Sequence, residues 1–232
     1  MLIVKVPFIN GLGKTKGCEK APDILAKNAE EIKVDNDNAN QSLKEIYSKA
    51  VQILKKGERF LFIGGDHSIS YPLAKAFSKV SRKKKCLIVF DAHADCMKPM
   101  KEPTHEEWLR AVIEEKLFDK IILFGLRKIE PEEKMFLSKR KEIEINKLNL
   151  QDNYDIYISI DIDVLDPAIA PGTGYQEPNG MKSEEFYDLL DKIKSKAKAI
   201  DLVEVNPEKD LNNKTVKLAI EIIERIKEKR KK

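Results

Sequence analysis

The chain has 232 residues, of which 42% are hydrophobic and 35% charged, and its net charge is +4. That apolar share supports a full core and excludes a disordered chain. No run approaches the roughly 18 apolar residues of a membrane span. The N-terminal "MLIVKVPFINGLGK" carries too short an apolar run for a signal peptide.

In chain order, the first strand is "LIVKVPF", followed by a Gly- and Pro-rich loop over 10–22. Helices are expected over 22–33 and 40–56; in the second, Leu43, Ile46, Tyr47, Ala50, Val51 and Leu54 recur at helical spacing. Strand "RFLFIGG", helix 69–80, strand "CLIVFDA" and helix 105–116 come next. Strand "KIILFGLR", helix 131–140 and strand "YDIYISIDID" follow, then the long loop "DPAIAPGTGYQEPNG". Helix 183–197, strand "AIDLVEV" and helix 212–229 complete the chain. Strands apolar on both faces that alternate with helices predict an α/β fold with a mainly parallel sheet covered on both sides. No linker or repeat divides the sequence, so 1–232 reads as a single domain. Loops as long as 166–181 are often functional.

Cys18, Cys86 and Cys96 are odd in number and show no CxxC spacing. They predict a reducing compartment and a cytoplasmic protein, with neither a disulfide framework nor a zinc ribbon. The basic excess sits in the last helix, "IIERIKEKRKK", where Lys and Arg complement the helix C-terminal dipole. No aromatic residues interleave with these charges, so nucleic acid is not the expected partner. "FINGLGKTKG" imitates a phosphate loop, but Phe8 stands where that loop needs its first Gly. Gly17 and Pro22 also interrupt the helix that a bound phosphate would need.

The ionisable residues follow a different design. "CLIVFDAHADC" is a core strand that ends in Asp91, His93 and Asp95, at every second position. Alternate residues of an extended chain share a face, so the three point the same way. Asp161 and Asp163 repeat the pattern in "ISIDID", Asp66 and His67 end "FLFIGGDHS", and Glu204 ends "AIDLVEVNP". Four strands thus carry their ionisable groups at the carboxyl end, where open α/β sheets build sites. Carboxylates crowded there raise one another's pKa unless cations neutralise them. Two His and four Asp, with no Cys, favour manganese, iron or magnesium over structural zinc. Six ligands suit two bridged ions rather than one. The third histidine, His105, opens a helix shortly after the cluster. Asp166, before Pro167, reads as a turn residue, Asp66 as a support for the ligands, and Cys96 as a small filler.

"GGDHS", "DAHAD", "SIDIDVLDP" and "VEVNP", in this order, resemble the ureohydrolases: arginase, agmatinase, formiminoglutamase and their relatives. "KGCEKAPDIL", "FGLR" and "DPAIAPGTGYQEPNGM" resemble supporting segments of the same family, so the likeness runs from about position 11 to 210. The resemblance implies a three-layer α/β/α fold of the arginase/deacetylase type with two manganese ions per chain. His67, Asp91, Asp95 and Asp161 would hold one ion. Asp91, His93, Asp161 and Asp163 would hold the other. It further implies that a metal-bridging hydroxide attacks a guanidino carbon and releases urea and an amine. Asp95 would orient the nucleophile, Glu204 would pair with the guanidinium and His105 would relay a proton to the leaving amine. Homotrimers or homohexamers are the implied assemblies, a small guanidino compound the partner, and neither nucleic acid nor membrane is involved.

The sequence departs from the family at one telling place, since Glu106 follows the relay histidine where Gly is usual. The segment from Asp95 to His105 is also short, closer to agmatinase than to arginase. Glu102, Glu106, Glu107 and Glu177 favour a substrate with a cationic tail, whereas Lys98 and Lys101 favour a carboxylate. Agmatine is the leading substrate and arginine the alternative, followed by other guanidino or formimino compounds. A single-metal deacetylase is disfavoured by the surplus of ligands, and a non-catalytic metal-binding homologue by their completeness.

Overall fold

The computed structural model describes residues 1–11, 13–99 and 101–228. The last four residues of the basic tail, 229–232, lie outside them. Eight parallel strands form the sheet: β1 (Leu2–Val6), β2 (Glu30–Glu31), β3 (Phe60–Gly64), β4 (Lys84–Phe90), β5 (Lys120–Phe124), β6 (Ile143–Ile145), β7 (Tyr154–Asp161) and β8 (Ala197–Val203). Their spatial order is β2-β1-β3-β8-β7-β4-β5-β6. The helices are α1 (Ala21–Leu25), α2 (Ala39–Leu54), α3 (Ser70–Val80), α4 (Trp108–Glu114), α5 (Pro131–Ser138), α6 (Ser183–Ile193) and α7 (Lys214–Lys227). Among the described residues no helix is long and apolar enough to cross a membrane.

The period of two in the strands builds the two cores. Phe60, Phe62, Leu87, Val89 and Tyr157 face one side, where α2, α3 and α4 cover them with Ile46, Phe77 and Trp108 among others. Leu61, Ile63, Ile88, Phe90 and Ile158 face the other side, against Phe186 and Leu190 of α6 and Ile222 and Ile226 of α7. Helix, sheet and helix are therefore the three layers.

Three features depart from the sequence expectation, the first being β6 (Ile143–Ile145), a short edge strand outside the predicted set that pairs in parallel with β5. The helix expected over 22–33 ends at Leu25, and Glu30–Glu31 instead pairs in parallel with β1. Tertiary pairing wins there: Ile32 N–H donates to Lys5 O at 2.9 Å, and Lys5 Nζ meets the Glu31 carboxylate at 2.8 Å. The helix expected from 105 starts only at Trp108, because 104–107 is a turn in which Glu107 Oε2 accepts from Thr104 N (2.8 Å) and Thr104 Oγ1 (2.5 Å).

The chain order positions the site. From β4 the chain moves outward to β5 and β6. It then returns to β7 on the other flank of β4 and continues to β8. The carboxyl ends of β4 and β7 therefore diverge at a switch point, which opens a crevice there.

Candidate metal centre

The four central strands, β3, β8, β7 and β4, each deliver an ionisable group into that crevice. After β3, Asp66 caps the short turn at His67–Ile69: Ser68 N–H donates to Asp66 Oδ1 at 3.1 Å, which fixes His67 at the strand end. Asp91, His93 and Asp95 leave β4, and Asp161 ends β7 with Asp163 in the following turn. Glu204 leaves β8. Asp95 and Glu204 both adopt left-handed backbone, at φ 48° and 63°. Such a conformation costs a non-glycine residue about 1–3 kcal/mol and clusters at working sites.

The sequence-predicted ligands converge. His67 Nδ1 lies 3.1 Å from Asp91 Oδ2, 3.1 Å from Asp95 Oδ2 and 3.2 Å from Asp161 Oδ2. His93 Nδ1 lies 2.8 Å from Asp163 Oδ2 and 3.6 Å from Asp91 Oδ1. Two ligand groups follow, His67 with Asp91 and Asp95, and His93 with Asp91 and Asp163. Asp91 belongs to both, one oxygen toward each histidine.

The electrostatics favour a bound cation. Burial pushes the Asp95 carboxyl up to about 7, with Asp91 adding to the effect. Burial also pushes Asp161 well up, reinforced by Asp163 and Asp91, and it raises Asp163 too. Asp91 goes the other way, because the pull of the neighbouring His67 and His93 rings outweighs its burial. Despite the crowding, His67 Nδ1 and Asp91 Oδ2 have no hydrogen-bond partner. A ring nitrogen that faces three carboxylate oxygens without meeting hydrogen-bond geometry to any of them is an arrangement that a bound divalent cation would satisfy. The oxygen-rich donor set fits hard or borderline ions.

Further groups hold this centre. His67 Nε2 is 2.9 Å from Ser159 Oγ, which donates at 2.7 Å to Asp201 Oδ1. Tyr157 Oη (2.5 Å) and Ser70 Oγ (2.9 Å) donate to Asp201 Oδ2. With Ser159 acting as donor to Asp201, His67 Nε2–H donates to Ser159, so its Nδ1 lone pair faces the carboxylates. Trp108 Nε1–H donates to Asp95 Oδ2 at 2.7 Å, and its ring packs 4.5 Å from that of His67. Arg127 donates to the carbonyls of Asp163 (2.6 Å), Glu177 (2.8 Å) and Val164 (3.2 Å), joining the β7 turn to the 166–181 loop. Asp201, Ser159 and Trp108 were not singled out by sequence reasoning. A lone Asp in the apolar run "AIDLV" was the available signal.

On the open side, His105 and Glu204 face each other with donor atoms within 4.8 Å, beside Asp66. Asp66 is already satisfied, since its Oδ2 accepts from Asn10 N (2.6 Å) and Thr15 Oγ1 (2.9 Å). His105 has neither ring nitrogen partnered although it is only 5% exposed. Glu204 Oε1 accepts from His67 N at 3.0 Å, and its Oε2 accepts from the Cys18 thiol at 3.6 Å. Burial pushes both the Glu204 carboxyl and the Cys18 thiol well up, so the thiol keeps its proton. Gly174 of the long loop abuts Glu204, where a Cβ would come within 2.9 Å of Oε2. Burial likewise raises the thiol of Cys96, which serves as filler.

A cavity of about 250 Å³ opens above these groups. The residues weighed for substrate charge separate cleanly. Glu106 and Glu177 line the cavity, and Glu102, Glu107, Lys98 and Lys101 do not. Lys14 and Lys128 line it as well.

The model of the Arginase family matches residues 12–227. An agmatinase from Bacillus subtilis (strain 168) is 34% identical over 215 residues, covering 87% of this chain and 74% of the relative. "Arginase 1, mitochondrial" from Arabidopsis thaliana is 30% identical over 207 residues, covering 81% and 59%. The chain spans 54–59% of the length of the plant arginases it matches. Among solved structures, a proclavaminate amidino hydrolase from Streptomyces clavuligerus superposes with a TM-score of 0.83 at 23% identity, over 97% of this chain and 89% of the other. With its three-layer fold and its motifs on adjacent strands, the chain belongs to the arginase family of ureohydrolases.

Proposed function

We propose that the protein is a binuclear manganese hydrolase that cleaves a guanidino group to urea and an amine. The observation that carries this reading is the convergence of His67 Nδ1 with three carboxylate oxygens at 3.1–3.2 Å, with Asp91 shared by a second histidine group. His67, Asp91, Asp95 and Asp161 would hold one ion, and Asp91, His93, Asp161 and Asp163 the other. Two such ions, when bound, supply hydroxide near neutral pH by lowering the pKa of water.

The chain's own groups do the rest. Glu204 pairs with the planar guanidinium, which offers two parallel N–H donors to a carboxylate. A cation there also reverses the cost of burying Glu204. Asp95 takes a hydrogen bond from the nucleophile and orients it toward the guanidinium carbon, while Trp108 Nε1–H holds the Asp95 carboxylate in place. His105, buried with both nitrogens free, delivers the proton without which the amine cannot leave. Agmatine, cleaved to putrescine, is the leading substrate, which would put the protein in polyamine metabolism, acting in the cytoplasm as a homotrimer or homohexamer. Lys14 at the cavity is the observation that favours arginine as the alternative.

The test is urea release by manganese-loaded protein from agmatine, arginine and guanidinobutyrate, and formamide release from formiminoglutamate, alongside metal content and sedimentation. Two ions per chain with urea from one of the guanidino compounds is the expected result. Two bound ions with no urea from any of them sinks the catalytic reading.

A further inference from the structure

The cavity grades from buried to open. Glu204 at its inner end is 5% exposed, whereas the side chains of Glu177 and Glu106 are 25% and 41% exposed. A short linear substrate held by its guanidinium at Glu204 would extend its other end toward these two glutamates. Among the described residues, neither Glu106 nor Glu177 pairs with a lysine or arginine. Glu106 Oε1 lies 3.5 Å from His105 Nε2, beyond hydrogen-bond geometry, and accepts a long hydrogen bond from Tyr175 Oη at 3.4 Å. Glu177 Oε1 lies 3.5 Å from His93 Nε2.

The opposing charges are already engaged. Lys128 pairs with Glu130 at 3.0 Å, and Lys14 rests its ammonium 4.8 Å from the Tyr175 ring centre. The unpartnered, buried His105 independently marks this stretch of cavity as facing a ligand, since a ring with two free nitrogens is costly without one. We propose that Glu106, oriented by Tyr175 and seconded by Glu177, binds the terminal ammonium of a linear guanidinoalkylamine and so selects diamine-like substrates over guanidino acids. The assignment rests on the ureohydrolase reading above and names the residue that sets its substrate class.

The experiment compares kcat/KM for agmatine and for 4-guanidinobutyrate, two chains of similar length with tails of opposite charge. It uses manganese-loaded wild type, Glu106→Gln and Tyr175→Phe. A second readout is the calorimetric Kd of 1,4-diaminobutane, which reports the tail subsite without turnover. Glu106→Gln is expected to cut the amine-to-acid ratio about tenfold, by weakening the amine and relieving repulsion of the acid. It should also raise the diamine Kd severalfold. Tyr175→Phe should move both in the same direction by less. Agmatine and guanidinobutyrate falling together, with the diamine Kd unmoved, would show that Glu106 acts through His105 and would overturn the assignment. Wild type that hydrolyses only the acid overturns the subsite alone. Wild type that releases urea from neither but does so from arginine also overturns the subsite alone, and wild type that releases urea from none of the three sinks the ureohydrolase reading and the subsite with it.

Discussion

The two histidines of the metal centre sit in different worlds. The His67 side chain is 1% exposed, wedged against Trp108, with its ring turned by Ser159 and Asp201. The His93 side chain is 22% exposed, and among the described residues the charged partner of its Nε2 is Glu177, at 3.5 Å. The inner half is thus organised by the core of the sheet, and the outer half by loops. An inner ion should exchange slowly and an outer ion quickly, because the outer ligands can move apart without disturbing the core. Asp91 belongs to both halves, so removing it should erase the contrast. Asp91→Ala is expected to lose both metals and to lower turnover on the order of a thousandfold or more. His93→Ala should instead keep one manganese per chain. Metal analysis after gel filtration decides, and an Asp91→Ala protein that keeps both ions breaks the comparison.

The inner half should also depend on groups that touch no ion. Asp201→Asn keeps the size of the side chain but removes the charge that draws the Ser159 proton away from His67. Loss of such support lowers metal affinity by about 10–100-fold in comparable sites. The loss should fall on the tighter of two manganese sites in a competitive chelator titration and leave the weaker one in place. Equal weakening of both would mean that Asp201 serves the fold as a whole.

Acidity gives a third, smaller effect. The Asp95 carboxyl, ordinarily near 3.8, is pushed up to about 7 in the metal-free protein, and Asp161 and Asp163 are raised with it. Between these limits the folded chain binds more protons than the unfolded one, so its stability falls as pH rises. His67 and His93 are raised as well, and their contribution is also lost on the alkaline side. Among the groups of this centre, Asp91 is the one held low, and it adds stability that persists upward from the acid end. Metal-free protein should therefore melt at a higher temperature at pH 5.5 than at pH 7.5, and manganese should reverse the order. A metal-free melting temperature that rises over this window would contradict the crowding seen around His67.

The same contrast explains what could be read from the sequence. The ligands were legible because they end apolar strands in pairs two residues apart, as Asp91/His93 and Asp161/Asp163 do. Parallel strands apolar on both faces also announced the covered sheet. The supports of His67 were not legible, because Ser159, Tyr157 and Asp201 sit inside the strands at positions that local pattern assigns to packing. Only the register that sets Ser159 against Asp201 brings them together. Glu30–Glu31 failed for a related reason, since two charged residues form a strand only because the edge of β1 accepts them. Arg127 lay in a recognisable segment, yet its role needs the carbonyls of the β7 turn and the 166–181 loop to gather around one guanidinium.

The smallest expected effect concerns Cys18, at the border between the rigid floor and the open cavity. Its thiol is the donor that meets Glu204 Oε2, the oxygen not used by the His67 amide. A weak S–H donor of this kind is worth about 0.5–1 kcal/mol, or roughly two- to fivefold in an equilibrium. Cys18→Val keeps the bulk and deletes the donor, so kcat/KM for the preferred substrate should fall about threefold, chiefly through KM, as Glu204 loses its orientation toward the guanidinium. Cys18→Ser restores a donor with a shorter bond and should recover part of that loss. The pair of variants separates hydrogen bonding from packing. If Val matches wild type and Ser is the damaged variant, Cys18 serves only to fill space, and Glu204 is held by the His67 amide alone.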